Sequence, residues 1–342
     1  MNRNVQTVKG LISTEMLGKT LTHEHMLWDQ RCWWQGEPED PVLKDLAYRK
    51  LEMGILGQVY YHAHLNIDNV VQLDPILAAE EALMFKNSGG NTIVDVTSIG
   101  LRRDPQSLLH ISEMTGLNIV MGSGYYISNS YPEEIRDLNK YEIADKIKYE
   151  FINGVDATVI KPGVIGEIGI TSLSNENEIK MLQAASIAQK YLGVPLYIHP
   201  PLFEVVAHKI IEVVEAEGAD ITKVVICHCD TTLENVEYHD YIAKTGANLE
   251  YDQFGLEFMA LEGFFLPRDI DRIRAIKKQI DRGNLSKILI SQDISFKTCL
   301  TKFGGWGYAH IIRDIVPIMK KENIIDDMID TILVENPRSL FS

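Results

Sequence analysis

Residues 194–252 read VPLYIHPPLFEVVAHKIIEVVEAEGADITKVVICHCDTTLENVEYHDYIAKTGANLEYD, and their rhythm decides the fold. Three short apolar runs, 194–200 (VPLYIHP), 223–230 (KVVICHCD) and 248–252 (NLEYD), alternate with longer amphipathic segments. The first of these segments, 203–217, repeats its apolar residues at the helical period and stops at Gly218. A short β-branched run followed by a helix is the unit of a parallel sheet, because the chain must cross back before the next strand can pair. Five further runs complete the series: 19–25 (KTLTHEH), 91–97 (NTIVDVT), 118–125 (NIVMGSGY), 164–169 (VIGEIG) and 287–293 (KILISQD). Helices are also predicted over 74–87, ended by Gly89-Gly90, over 175–191, and over 323–335, closing before Pro337. Eight strands in this order predict an α/β fold, a single (β/α)8 TIM barrel over residues 1–342, rather than an open doubly wound sheet. The long loop after the first strand, 27–71, holds Trp28, Trp33 and Trp34 and is expected to fold over the barrel mouth.

Composition narrows the partners. The chain carries 33 Lys plus Arg against 48 Asp plus Glu, a formal net charge of -15. A surface of that sign repels phosphate backbones and anionic lipid, so neither nucleic acid nor membrane is an expected partner, and a small-molecule substrate is. No apolar run approaches the ~20 residues that span a bilayer, and the opening MNRNVQTVKG lacks a signal-peptide core, so a cytoplasmic location is expected. Four cysteines, Cys32, Cys227, Cys229 and Cys299, are too few to staple a chain of 342 residues. Nothing in the composition opposes a homodimer.

In a barrel of this type the active site is built from the C-terminal ends of the strands. There the sequence places His23 and His25 on the first strand, Glu167 on the fourth, His199 on the fifth, His228 on the sixth and Asp293 on the eighth. Strand alternation puts His23 and His25 on one face, about 6–7 Å apart, with Glu24 pointing the other way. Four imidazoles and two carboxylates exceed the three protein ligands usual for one catalytic zinc, which predicts two divalent ions. Zn²⁺ suits these donors, as do Mn²⁺, Co²⁺, Fe²⁺ and Ni²⁺. Glu167, with two oxygens, is the natural bridge, whereas Lys161 lies six residues upstream, roughly 20 Å along an extended strand. Cys227 and Cys229 flank His228 and are expected to face away from it against the helices. His62 and His64 read as a solvated or capping pair in the long loop.

These motifs, T-H-E-H, V-I-G-E-I-G, I-H-P, C-H-C-D, S-Q-D and the ending I-L-V-E-N-P, resemble the phosphotriesterase family of the amidohydrolase superfamily. F-G-G-W-G-Y-A-H-I at 303–311 is similar to the glycine-rich segment of its phosphotriesterase-related branch. The resemblance implies a first metal held by His23, His25 and Asp293, a second by His199 and His228, and Glu167 plus a hydroxide between them. Many family members bridge with a carboxylated lysine, where this chain has Gly166 and then Glu167.

The reaction expected from such a site is hydrolysis by a metal-bridging hydroxide, with Asp293 carrying the proton to the leaving group. Carbonyl substrates are expected first, a lactone or ester such as a phosphorylated sugar lactone. The alternatives are an amidase on N-acyl compounds such as N-acetyltaurine, a phosphotriesterase, and a non-catalytic metal-containing binding protein. The full set of ligand types argues against the last. Among loop residues, Tyr126 and Lys297 are the preferred substrate contacts.

Overall fold

The computed structural model describes residues 4–261 and 263–342. Eight parallel strands form one sheet in chain order: β1 (Thr20–Glu24), β2 (Thr92–Asp95), β3 (Asn118–Ser123), β4 (Val164–Gly169), β5 (Leu196–His199), β6 (Val224–Ile226), β7 (Asn248–Tyr251) and β8 (Ile288–Ile290). Each falls within one of the eight apolar runs, and the sheet curls almost into a closed barrel. No ladder joins β8 to β1. Side chains and irregular backbone close that seam instead: Thr22 Oγ1 donates to Ile290 O at 3.3 Å, His23 N to Ser291 Oγ at 3.0 Å and Asp293 N to His23 O at 3.2 Å.

The two-residue alternation of the strands sorts the core into two layers. Val94, Val120, Val164, Tyr197, Val225 and Leu289 point into the barrel, where Val5, Leu17, Leu340 and Phe341 pack with them. Their neighbours Ile93, Ile119, Ile165, Ile198, Ile226 and Ile288 point outward and pack under the helices. The crossover helices start where the chemistry of the N-terminus asks. Asp74 caps Pro75–Asn87 by accepting from Ile76 N and Leu77 N, and Asn139 and Glu142 make a reciprocal capping box on Lys140–Asn153.

Three helix boundaries differ from those predicted, one of them at Asn323, whose left-handed φ of 65° delays the helix to Asp326. The helix expected over 203–217 covers only Ala207–Ala216, because Phe203 takes a left-handed φ of 61° that no helix can include. The helix predicted to close before Pro337 runs on: a wide turn at Thr331–Glu335 leads into Asn336–Leu340, whose first turn holds Pro337 where no backbone donor is needed. The loop after β1 also has structure of its own, with helices Pro41–Tyr48 and Leu56–Tyr61, and Trp28–Asp29 pairing antiparallel with Val71–Gln72. Among the described residues, no helix is long and apolar enough to cross a membrane.

Candidate metal centre and substrate cavity

All six predicted ligands meet at the C-terminal mouth of the barrel. Their donor atoms form three-residue groups within 4.8 Å: His23 with His25 and Glu167, Glu167 with His199 and His228, and His23 with His228 and Asp293. Glu167 is shared by the first two. Its Oε1 lies 3.0 Å from His199 Nδ1 and 2.8 Å from His228 Nε2, while Oε2 lies 3.8 Å from His25 Nε2. Asp293 Oδ1 is 3.3 Å from His25 Nε2 and 3.7 Å from His23 Nε2.

Irregular backbone puts these side chains there. On β4, Val164 points inward, so strict alternation would aim residue 166 into the barrel and residue 167 outward. The register with β5 shifts between Ile165 and Ile168, and this turns Glu167 in. Gly166 has φ 125°, and a Cβ there would sit 2.7 Å from Tyr197 O, so the position that alternation aims at the cluster cannot carry a side chain. His228 and Asp293 likewise take left-handed φ values of 55° and 46° just beyond their strands. Such conformations persist where the surroundings over-determine them, as the hydrogen bonds of His228 N to Asp252 Oδ2 and Asp293 N to His23 O do.

The kink at His228 overturns one expectation. Cys227 does not lie against the helices. It keeps the inward parity of Val225 and faces Glu250 at 3.7 Å inside the barrel, while Cys229 packs with the outer layer. Of the loop pair, His62 is exposed, whereas His64 is half-buried and stacked on Trp33, with ring centroids 5.9 Å apart, in the wall of the cavity above the cluster.

Sequence reasoning missed the groups that hold the imidazoles. Glu250 and Asp252, two apart at the end of β7, both turn inward. Glu250 Oε2 accepts from His23 Nδ1 at 3.2 Å, and Asp252 Oδ1 accepts from His228 Nδ1 at 2.9 Å. Thr97 Oγ1 lies 2.9 Å from His25 Nδ1. The signal was present in N-L-E-Y-D, where two carboxylates share one face of a strand that is otherwise apolar. Glu24, as expected, points away from His23 and His25. It accepts from Ser291 Oγ, Gln292 N and Ile294 N, tying β1 to the segment that carries Asp293, and burial pushes its carboxyl up to about 8.

The donor chemistry fits metal ions. With Nδ1 of His23 and His228 committed to carboxylates, their Nε2 lone pairs face the cluster, the arrangement that orients histidine ligands. His23 Nε2 is buried with no hydrogen-bond partner. The electrostatics ask for positive charge at the same point. Burial alone would lower the His23 imidazole, yet Asp252, Glu167 and Glu250 push it up to about 10. Burial likewise favours a neutral Glu167, but the imidazoles of His23, His199 and His228 hold its carboxyl well below the usual range. If Asp252 orients His228 for an ion, Asp252→Asn should weaken metal binding by roughly 10–100-fold while leaving the barrel folded. Competitive chelator titration beside circular dichroism measures both, and unchanged metal affinity would remove the orienting role.

Above the cluster lies a cavity of about 40 Å³, partly open to solvent. His25, Glu167, His199, His228 and Asp293 form its floor, and Gln30, Trp33, His64, Tyr126, Gln253 and Phe296 contribute to its walls. Trp33 and His64 come from the loop after β1, which therefore covers the mouth. Tyr126 is buried beside His199, with ring centroids 5.6 Å apart, and its hydroxyl accepts from Trp33 Nε1 at 3.2 Å. Lys297 is not brought to Tyr126. Its ammonium lies 3.0 Å from Asp68 Oδ1, and the residue is absent from the cavity wall because the turn at Lys297–Cys299 hydrogen-bonds back to Asn69.

A barrel with a buried histidine–carboxylate cluster at its strand ends, open to a cavity, has the construction of a barrel hydrolase. The sequence profile described as the phosphotriesterase family matches residues 3–341. The N-acetyltaurine hydrolase of Homo sapiens is 36% identical over 343 residues, covering 99% of this chain and 97% of that protein. A phosphotriesterase-related protein of Nematostella vectensis is 37% identical over 341 residues, covering 98% and 97%. The crystal structure of a resiniferatoxin-binding protein from Rhodobacter sphaeroides superposes with a TM-score of 0.97 at 38% identity, over 99% of this chain and 95% of that one. The chain belongs to the phosphotriesterase family and is a hydrolase.

Proposed function

We propose that the protein is a binuclear metal-dependent hydrolase that cleaves a carbonyl substrate, with an N-acyl amide as the first class and a lactone or ester as the second. The observation that carries this reading is the pair of three-residue groups sharing Glu167 on the floor of the cavity. Relatives of nearly equal length named N-acetyltaurine hydrolase move the amide ahead of the lactone expected from sequence.

His23, His25 and Asp293 would hold one ion and His199 and His228 the other, with Glu167 between. Two divalent cations held there would supply Lewis acidity, lowering the pKa of a bound water and polarising the attacked carbonyl. The rest is done by the protein. Tyr126 accepts the Trp33 N–H, so its own proton is free to donate to a substrate oxygen in the cavity. Burial raises its hydroxyl well above the usual value, and Glu167 adds to this, so it remains a donor at neutral pH. Asp293, on the cavity floor beside His25, takes the proton of the attacking water and delivers it to the leaving nitrogen or oxygen. The loop after β1 limits the water that competes for these hydrogen bonds.

The first test is composition: protein purified without chelator in metal-replete medium should hold about two divalent ions per chain by elemental analysis, because six ligands overfill a single site. The second is turnover, measured on N-acyl amides, lactones and aryl phosphotriesters with the metal-loaded protein. A stoichiometry fixed at one, or turnover confined to phosphotriesters, overturns the reading.

A further inference from the structure

The cavity walls carry polar groups that the chemistry above leaves unused. Gln30 and Gln253 both line the cavity, are 6% and 2% exposed, and each has a buried Oε1 with no hydrogen-bond partner. Buried amide oxygens are nearly always paired, so two residues that line one cavity and each keep an unpaired amide oxygen leave unused polar capacity beside the space a ligand would occupy. Neither side chain sits there by looseness. The Gln30 backbone is held by its bond to Val70 O at 2.9 Å, the Gln253 backbone directly follows Asp252, which is locked to His228, and both side chains are buried. Between them and the mouth, His64 is gripped by aromatic faces, with Trp33 at 5.9 Å and Phe296 at 5.2 Å. Burial, reinforced by His199, pushes its imidazole down to about 4, so it enters a complex neutral, with one donor and one acceptor nitrogen.

Charge is what these walls lack. Among the described residues no lysine or arginine lines the cavity. Glu167, Asp293 and Asp252 bring carboxylates to the cluster, with Glu250 beside His23, and these would offset much of the positive charge that two divalent ions would bring, leaving little to hold an anionic substrate. The net charge of -15 adds a long-range field of the same sign. Stripping water from a sulfonate or carboxylate here would therefore go uncompensated, whereas a neutral donor and acceptor would find partners in Gln30, Gln253 and His64.

We propose that Gln30, His64 and Gln253 form an uncharged recognition subsite that selects substrates ending, beyond the scissile carbonyl, in a carboxamide or hydroxyl rather than in a sulfonate, phosphate or carboxylate. This rests on the carbonyl-hydrolase reading and parts the chain from relatives named for N-acetyltaurine, whose terminal group is a sulfonate.

The test uses matched pairs on the metal-loaded protein. N-acetyl-β-alaninamide should exceed N-acetyl-β-alanine and N-acetyltaurine in kcat/KM by about tenfold or more, with the difference mainly in KM, as a desolvated, unpaired charge demands. Their methyl-ketone isosteres, 5-oxohexanamide and 5-oxohexanoate, have no leaving group at the carbonyl that replaces the scissile amide, and calorimetry should show the amide binding about tenfold more tightly. Gln253→Arg, which sets a cation in the same wall, should reverse the order in both measurements. If the ketones discriminate while none of the N-acetyl compounds is turned over, the subsite stands and the hydrolytic reading falls. Turnover that favours the carboxylate or sulfonate, or an amide ketone that binds no better than the acid, refutes the subsite and leaves the hydrolase.

Discussion

Glu167→Gln should strip the protein of metal and of activity in one step. The carboxylate is the one group shared by the two ligand clusters, 2.8 Å and 3.0 Å from nitrogens of one and 3.7 Å and 3.8 Å from those of the other. Glutamine keeps its shape but removes the charge that offsets two cations, and its amide can present only one oxygen. The loss should exceed the roughly 10–100-fold that follows removal of an outer partner such as Asp252, because the proposed ligand to both ions is gone. Elemental analysis and kcat on the same sample measure it. Retention of two ions with near-normal turnover would show that the bridge lies elsewhere. The fold should survive, since Glu167 pairs chiefly with the imidazoles and the backbone of β4 is held by its neighbours. Without metal, the released imidazoles and the remaining carboxylates should still pair with one another, as His23 does with Glu250 and Asp252.

The strands were legible in the sequence because a buried parallel strand must be a short apolar run, and all eight runs contain one. The histidine–carboxylate cluster was legible because each of its six members stands at the end of such a run. What alternation could not supply was the irregular backbone between strand and loop. By strict parity Glu167 points outward and Cys227 inward with no room for His228 beside it. The structure instead shifts register at Gly166 and turns left-handed at His228, so the cysteine and the histidine both face the interior. The helix expected from Phe203 failed for a similar reason, a single left-handed residue. Loop side chains were the least legible. Lys297 follows a strand that carries a ligand, but its charge is consumed by Asp68 from the distant loop after β1. His64 lies in that same loop, and only its stacking on Trp33 brings it over the cluster. Both facts depend on contacts between segments more than two hundred residues apart or on aromatic packing, which local patterns do not encode.

Asp293→Asn should separate chemistry from metal binding. Asp293 lines the cavity floor, its carboxylate 3.3 Å from His25 Nε2 and 4.0 Å, through its other oxygen, from His228 Nδ1, so it touches both the ligand cluster and the space where substrate must lie. Its backbone is pinned by the hydrogen bond from Asp293 N to His23 O, and the following segment by Glu24, so asparagine should enter the same left-handed turn, a conformation this residue type tolerates. An amide oxygen still faces the cation, and at least one ion should remain. What the amide cannot do is accept a proton at neutral pH. Proton transfer by a positioned carboxylate is typically worth ~10²–10⁴-fold, and kcat for the best carbonyl substrate should fall by that order with KM little changed. The competing account, in which Asp293 is only a ligand, predicts that activity falls in proportion to metal and returns when metal is restored. Assaying kcat across pH on fully metallated Asp293→Asn decides between them: near-normal kcat leaves a ligand alone, and a deep loss at full occupancy assigns the proton transfer to this carboxylate.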